Sequence, residues 1–214
     1  MVIIPAINET SFAEIEKKIK TAAAFGAEIV HLDVSDGKFT TTEMWNNFFD
    51  LRDFIIANPN LKMKYEIHLM ISDPDEAIDN WIDVGATRII VHVESAKDVA
   101  GMKKKCEHFA AELLLAANPD TSSDSLLEHK DCVDGFLVLA VRPGKSGQIF
   151  RDTQLEKIRL LREGSPKTKI EVDGGVKLEN ALSIKDAGAD LAASASTIWK
   201  SEDPTATFKK LQEI

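Results

Sequence analysis

The segment HLDVSDGKFT, residues 31–40, places an imidazole, two carboxylates and a glycine at the end of an apolar run. The residues before it predict a buried strand, on which side chains alternate between the two faces. His31 and Asp33 therefore point to the same side, and a loop containing Gly37 follows them. A strand that ends in this way is a candidate metal site. The alternative, from these ten residues alone, is a strand whose polar end reaches solvent.

Two further predicted strands end in residues that could bind the same ion. The third strand ends with His68 and the seventh with Asp173. Two imidazoles and two carboxylates suit a divalent ion such as Zn²⁺, Mn²⁺, Fe²⁺ or Co²⁺. Asp33 and Asp173 would approach from roughly opposite sides, so one could remove a proton from a planar intermediate and the other return it. The alternative is a structural polar network, or strand ends that never meet.

Glycine-rich turns after the later strands form a second candidate site. They are GKSG at 144–147, the pair Gly174–Gly175, and SAS at 194–196. Phosphate commonly binds to loop amides at this end of a barrel, and glycine lets the backbone approach an anion closely. Arg142 or Lys145 could add positive charge. The alternative is a set of ordinary strand-to-helix turns, in which glycine is common.

Eight apolar runs rich in β-branched residues alternate with segments of helical spacing. The predicted strands are residues 2–7, 28–34, 62–70, 87–93, 112–117, 135–141, 168–173 and 190–195. This alternation predicts an α/β protein with a parallel sheet, and eight units in 214 residues fit a compact (β/α)8 TIM barrel. The candidate residues fall at C-terminal strand ends, where such barrels carry their active sites. An open doubly wound sheet is the alternative, but GxGxxG and P-loop spacings are both absent.

Local signals mark several helix ends and the extent of the domain. Ser11 followed by Glu14 predicts a capping box at the start of the first helix. Gly26, Gly85 and Gly188 each predict the end of a helix just before a strand. No stretch has the composition of a linker, so we expect one domain spanning residues 1–214.

The composition disfavours several classes of function. The net charge is −9 and no region is strongly basic, so nucleic acid is not an expected partner. No apolar run approaches membrane-spanning length, and the first residues do not resemble a secretory signal. Cys106 and Cys132 lie apart and outside any CxxC motif, which predicts reduced thiols in a cytoplasmic protein.

Seven longer segments follow one another along the chain: HLDVSDGKF, EIHLMISDP, VHVES, ANPDT, LVLAVRPGKSGQIF, IEVDGGV and GADLAASASTIW. In content and order they resemble the ribulose-phosphate 3-epimerase family. The corresponding family patterns are H-[LVI]-D-V-M-D-G-x-F, D-x-H-L-M-[VI]-x-x-P, VHxE, LNPxT, LVMTVNPGFGGQxF, IxVDGGI and GADxxVAGSAIF. The resemblance covers the chain from end to end.

The resemblance implies an isomerase of the pentose phosphate pathway that interconverts D-ribulose 5-phosphate and D-xylulose 5-phosphate. It implies 1,1-proton transfer at C3 through an enediolate, on a phosphate-binding barrel. One divalent metal ion would be bound by His31, Asp33, His68 and Asp173, with Asp33 and Asp173 also serving as acid and base. Asp36 is interpreted as a loop-capping residue. Because family members form dimers and larger rings, a homo-oligomer is expected.

The departures from the family pattern lie around the substrate. The family's serine after the first strand is Ala6 here, the asparagine of its NPG is Arg142, and its Gly-Ser pair on strand eight is Ala195–Ser196. Ala195 and Ser146 add side chains where an anion would approach the backbone, and the charges of Arg142 and Lys145 could compensate. The residues predicted to bind substrate or phosphate are Asn8, Met70, Arg142, Gly144, Lys145, Ser146, Gly147, Gly174, Gly175, Ala195 and Ser196.

These departures leave more than one function open. The first is epimerisation of ribulose 5-phosphate, and the second is 3-epimerisation of another ketose phosphate, such as a ketohexose 6-phosphate. The third is a paralogue that binds a phosphorylated metabolite without turnover, which retention of all four ligands disfavours. A metal-dependent aldolase or decarboxylase is disfavoured as well, since the D-x-K-x-x-D pattern usual in such barrels is not found after Asp33.

Overall fold

Eight parallel strands close into a barrel in the computed structural model, which describes residues 1–214. The strands are β1 (Val2–Ile7), β2 (Ile29–Ser35), β3 (Lys64–Met70), β4 (Arg88–His92), β5 (Glu112–Ala117), β6 (Gly135–Leu139), β7 (Lys169–Asp173) and β8 (Leu191–Ser194). They follow one another around the ring in chain order, and β8 pairs with β1. The predicted (β/α)8 TIM barrel is therefore confirmed, with each strand within two residues of its predicted bounds.

A helix follows every strand, and β8 is followed by two. The helices are α1 (Phe12–Ala24), α2 (Phe48–Ala57), α3 (Pro74–Asp83), α4 (Val99–His108), α5 (Ser123–Leu127), α6 (Thr153–Gly164), α7 (Leu178–Asp186), α8 (Ser196–Trp199) and α9 (Pro204–Gln212). None of them combines the length and the apolar character that a membrane-crossing helix needs.

The predicted helix ends are confirmed, but one predicted helix start is wrong. Gly26, Gly85 and Gly188 follow α1, α3 and α7 with φ angles of 89°, 96° and 115°, a region that favours glycine. Ser11 does occupy the position before α1, yet its side chain makes no capping hydrogen bond. Glu14 completes no capping box either, because its exposed carboxylate turns along the helix toward Lys17 at 3.9 Å.

Strand alternation divides the chain between an outer core and the barrel interior. On β2, Val30, Leu32 and Val34 belong to the large core between strands and helices. His31 and Asp33 alternate with them and face the barrel interior. The same division holds in each strand, so the interior is built from a different set of side chains than the outer core.

The barrel interior has an apolar part and a polar part. Inward residues of β4, β5 and β6 form a small separate core, which comprises Ile90, Leu114, Ala116, Leu137 and Leu139. On β2, β3 and β7 the inward side instead carries imidazoles and carboxylates that are buried or nearly so: His31, Asp33, Glu66, His68, Glu171 and Asp173. The polar part is therefore packed against an apolar wall, which lowers its access to water.

A layer of charged side chains lies deeper in the polar part than the strand ends. Arg88 on β4 donates from Nη1 to Glu66 on β3, and its Nε donates to Glu112 at 2.8 Å. The same Nη1 is 3.5 Å from Oε2 of Glu171 on β7. Glu66 and Glu171 are fully buried, and Arg88 is the only permanent cation within 4.0 Å of either. The guanidinium therefore holds two buried carboxylates in place.

Replacing Arg88 with Met is expected to lower the free energy of unfolding by about 3–5 kcal/mol, because Glu66 and Glu171 lose their shared cation inside the barrel. The measurement is urea denaturation with divalent metals chelated. The matched control is Arg159→Met, which removes an exposed ion pair and should cost less than about 1 kcal/mol. Adding Glu66→Gln to Arg88→Met should recover part of the loss, because Glu66 is the carboxylate that pairs directly with Arg88. Equal losses in the Arg88 and Arg159 variants would contradict this account.

Candidate active site and metal centre

Four side chains converge where β2, β3 and β7 end. Nε2 of His31 lies 3.2 Å from Oδ1 of Asp33 and 3.3 Å from Nδ1 of His68. Nδ1 of His68 lies 3.1 Å from Oδ1 of Asp33 and 3.8 Å from Oδ2 of Asp173. The sheet register brings two of these residues together, since Asp33 and His68 are partners across β2 and β3. One ligand atom from each residue lies within 4.8 Å of the others, so the four predicted ligands do meet.

The two aspartates of this cluster have opposite electrostatic environments. Burial by itself raises the pKa of Asp33, but hydrogen bonds with His31 and His68 outweigh it and hold the pKa well below its usual value. For Asp173, burial and then the charge of Asp33 raise the pKa to about 6. Two neighbouring carboxyl groups whose pKa values are pushed apart are typical of an acid and base pair.

The donor set of these four residues fits a divalent metal ion. Bonds of about 2.0–2.2 Å from imidazole nitrogen or carboxylate oxygen to a tetrahedral Zn²⁺ place neighbouring donors about 3.3–3.6 Å apart. Four of the six donor pairs lie 3.1–3.8 Å apart, and all six lie within 4.8 Å. An ion with two positive charges would also relieve the proximity of Asp33 to Asp173, which raises the pKa of Asp173.

Glu66 orients the first histidine of the cluster. Nδ1 of His31 donates to Oε1 of Glu66 at 2.6 Å, which leaves Nε2 directed at Asp33 and His68. Burial lowers the pKa of His31, but its hydrogen bond with Asp33, the nearby carboxyl group of Glu171 and its hydrogen bond with Glu66 outweigh burial and raise the pKa well above the usual value. A carboxylate behind a metal-binding histidine fixes its tautomer and ring orientation in this way.

His92 and Glu94 orient the second histidine. Nε2 of His68 lies 2.9 Å from Nε2 of His92, and the two rings are stacked with centroids 5.0 Å apart. Nδ1 of His92 lies 3.2 Å from Glu94, whose other oxygen accepts from the backbone N–H of Asn118 at 2.8 Å. Burial lowers the pKa of His92 to about 4, so its ring is neutral near pH 7. The Nδ1 atom of His68 is thereby left to face the aspartates.

Glu171 is a buried carboxyl group beneath the cluster without a hydrogen-bond partner. Both of its oxygens lack one, although Nδ1 of His31 and Nη1 of Arg88 each lie 3.5 Å away. Burial and the nearby charge of Glu66 raise the pKa of Glu171 to about 8. A neutral Glu171 next to an ionised Glu66 limits the negative charge that the barrel interior has to carry.

Glu66, Arg88, Glu171 and His92 were not among the predicted site residues. Glu66 precedes His68 by two positions and Glu171 precedes Asp173 by two, so strand alternation places each on the same face as the residue that was predicted. One further step inward along β3 and β7 therefore reaches Glu66 and Glu171. His92 lies at the C-terminal end of β4 and was not predicted to belong to the site.

One cavity opens above the cluster at the C-terminal end of the barrel. Asp33 and Asp173 line it together with every residue predicted to bind substrate or phosphate, from Asn8 and Met70 to Ala195 and Ser196. It encloses about 480 Å³, counted out to its open mouth. His31 and His68 are fully buried beneath it. The cavity has further walls that were not predicted: Leu139, Val141, Pro143, Gln148, Val176 and Ala193.

Asn8 and Asp36 position the surroundings of the aspartates. Nδ2 of Asn8 donates to Oδ2 of Asp33 at 2.8 Å, so the amide orients the carboxylate that faces the cavity. Asp36 accepts from the backbone N–H groups of Lys38, Phe39 and Ser72 at 2.9–3.0 Å. Burial opposes these hydrogen bonds, but they lower the pKa of Asp36 to about 2. Asp36 thus caps the loop after β2 and does not line the cavity.

The glycines at 174–175 have a packing role in addition to any role in binding. Gly175 has a φ angle of 70°, and a Cβ atom on it would lie only 2.4 Å from the backbone nitrogen of Phe150. Only glycine therefore fits where the turn after β7 meets the loop after β6.

The comparisons with other proteins agree on one family. A model of the ribulose-phosphate 3-epimerase family matches residues 2–199. The ribulose-phosphate 3-epimerase of Aquifex aeolicus is 30% identical over 216 residues, which cover 99% of this chain and 96% of the relative. The enzyme of the same name from Chlamydia muridarum is 32% identical over 94% of this chain and 90% of the relative.

Solved structures with lower sequence similarity share the fold. The 3-keto-L-gulonate-6-phosphate decarboxylase of Vibrio cholerae superposes with a TM-score of 0.76 at 14% identity, over 100% of this chain and 95% of the other. A 3-hexulose-6-phosphate synthase gives 0.74 at 17% identity, over 100% of this chain and 99% of the other. These structures share only the barrel fold with this chain. The family-model match to residues 2–199 and the sequence identities near 30% are instead specific to one family. The chain belongs to the ribulose-phosphate 3-epimerase family.

Proposed function

We propose that the protein interconverts D-ribulose 5-phosphate and D-xylulose 5-phosphate by moving one proton at C3, with Asp33 and Asp173 as base and acid. The observation that carries this proposal is the pair of carboxylates at the floor of the cavity. They come from β2 and β7, three positions apart in a ring of eight strands, and both line the same space. A planar intermediate between them would present one face to each.

Proton transfer on two faces accounts for inversion at C3. One carboxylate takes the C3 proton from one face, and the other carboxyl group returns a proton to the opposite face of the enediolate. The low pKa of Asp33 and the raised pKa of Asp173 allow one group to be ionised while the other holds a proton. Reversal of the two roles gives the reverse reaction.

His31, Asp33, His68 and Asp173 would hold one divalent ion at this floor. When bound, the ion supplies stabilisation of the negative charge that develops on substrate oxygens as C3 loses its proton. Glu66 and His92 keep the two imidazoles in the orientation that directs one nitrogen of each toward the aspartates. The set accepts Zn²⁺, Mn²⁺, Fe²⁺ or Co²⁺, so availability would decide which ion is used.

The far side of the cavity suits the phosphate group. Arg142 and Lys145 line it with the glycines of the loop after β6, and neither cation has a carboxylate within 4.0 Å. Their charges are available to an anion, in a chain whose net charge is −9. Ala195 and Ser146 line the same side, so the approach of an anion to the backbone is narrower than a glycine-lined turn would allow.

A second candidate is 3-epimerisation of another ketose phosphate, such as a ketohexose 6-phosphate. The observation that favours it is that Arg142, Ser146 and Ala195 line the cavity while none of them belongs to the four candidate ligands. Changes there alter which sugar phosphate fits and leave proton transfer at the aspartates unchanged.

The test of the proposed function is proton exchange at C3. Metal-loaded protein in D₂O should convert ribulose 5-phosphate to xylulose 5-phosphate and place deuterium at C3, both followed by NMR. Chelation of the metal should stop both processes. Absence of exchange and product, in protein shown to hold a metal, would reject ribulose 5-phosphate as the substrate, and a panel of ketose phosphates would then test the second candidate.

Asp33→Asn and Asp173→Asn should each lower the rate of epimerisation by about 10³-fold or more, because each removes one of two proton-transferring groups. A single remaining carboxylate can still exchange the C3 proton of the epimer that faces it, so residual exchange should favour one epimer, and a different one in each variant. The control is Asp53→Asn, an exposed residue paired with Arg52 on α2. Epimerisation within tenfold of wild type in either site variant would refute the two-base mechanism.

Arg142→Ala and Lys145→Ala should raise KM for the sugar phosphate by about 3- to 30-fold with little change in kcat, since a phosphate contact is made equally in the ground and transition states. Steady-state kinetics at constant ionic strength measure this. Lys104→Ala, which removes an exposed lysine of α4, is the control. An unchanged KM in both site variants would assign the two cations to the surface.

A further inference from the structure

Lys200 lies beside the phosphate side of the cavity, although it does not belong to the loops that were predicted to bind an anion. It directly follows the short helix α8. A Cβ atom placed on Gly147 would lie 3.7 Å from Nζ of Lys200 and 3.9 Å from Oγ of Ser196. The loop after β6, the hydroxyl group of Ser196 and the ammonium group of Lys200 therefore surround one small region.

This region lies between the main cavity and a second hollow. Asn8, Ser146, Ala195 and Ser196 line both spaces, and Lys200 lines the second hollow. A group in either space can contact residues that line both spaces. An extended lysine side chain in the hollow is thus within reach of an anion held by the loop at Gly147.

Lys200 is also the available positive charge of this hollow. Its other cation, Lys18, is paired with Glu9. Lys200 has no carboxylate within 4.0 Å and makes no hydrogen bond through Nζ, while its side chain is exposed. An ammonium group in this state loses no partner when it turns toward a phosphate.

We propose that Lys200 binds the phosphate group of the substrate, together with Ser196 and the backbone around Gly147. This inference rests on the proposed sugar-phosphate function and adds a residue to its binding site. Ala195 and Ser146 narrow the approach to the backbone, and a lysine on a flexible stem supplies attraction that needs no close backbone approach. Lys200 is a binding residue in this account and takes no part in proton transfer.

The test compares Lys200→Met with Lys200→Arg and with the control Lys210→Met. Lys210 is an exposed lysine of α9 that makes no ion pair. The dissociation constant of inorganic phosphate is measured by calorimetry on the metal-loaded protein, and KM and kcat are measured with ribulose 5-phosphate. In Lys200→Met, both the dissociation constant and KM should rise about tenfold, with kcat within twofold of wild type. Lys200→Arg should retain most of the affinity, and Lys210→Met should match wild type.

The two readouts separate failure of this inference from failure of the proposed function. If ribulose 5-phosphate is not turned over but Lys200→Met still weakens phosphate binding tenfold, the function is wrong and the role of Lys200 stands. If turnover is observed and Lys200→Met changes neither KM nor the affinity for phosphate, the role of Lys200 is overturned and the function stands. Wild-type protein that binds no inorganic phosphate, or a loss as large in Lys210→Met, would overturn the role of Lys200 as well.

Discussion

The balance of charge inside the barrel is the constraint on which the site depends. Asp33, Asp173, Glu66 and Glu171 are all buried or nearly so, and Arg88 is the only permanent cation among them. Burying an ionised carboxylate without a partner costs several kcal/mol. Two features reduce this cost: Arg88 offsets the charge of Glu66, and burial together with neighbouring carboxylates raises the pKa values of Glu171 and Asp173. The upper pair is left short of positive charge, which is the electrostatic condition for binding a divalent ion.

Strands and loops contribute different parts of the candidate site. Every group proposed to transfer the proton or to hold the metal is a strand residue, and the register of the sheet fixes its neighbours, as it places Asp33 opposite His68. The groups on the phosphate side belong to loops and to the residues around α8, whose side chains are more exposed. In the proposed reaction, the sheet would therefore set the geometry at the reacting carbon, and loops that can change without disturbing the sheet would recognise the phosphate group.

The hydrophobic periodicity and the positions of residues along the chain were enough to predict the strands, the barrel and the four residues that meet at its C-terminal end. They did not predict the charged residues that lie deeper in the barrel interior. Glu66 and Arg88 lie on adjacent strands at the same level, and only the register of β3 against β4 brings them together. The capping box at Ser11 failed for a different reason, because an exposed glutamate is free to turn toward Lys17 and a sequence pattern does not choose between the two partners. Lys200 lies beyond the last strand, and only folding returns it to the loop at Gly147.

In the proposed function, the use of side-chain cations in place of backbone amides to bind the phosphate affects the specificity for the substrate. Backbone amides hold a phosphate at one distance and direction, so a substrate of different length loses those contacts. Arg142, Lys145 and Lys200 stand on long flexible stems that can follow an anion over several ångströms. Because the phosphate is remote from C3, such cations add binding energy without defining the position of the reacting carbon. That position is left to the aspartates and to Asn8, which donates to Asp33. If the proposed function holds, such a site would discriminate among ketoses by the carbons next to the floor of the cavity and less by the length of the chain that leads to the phosphate.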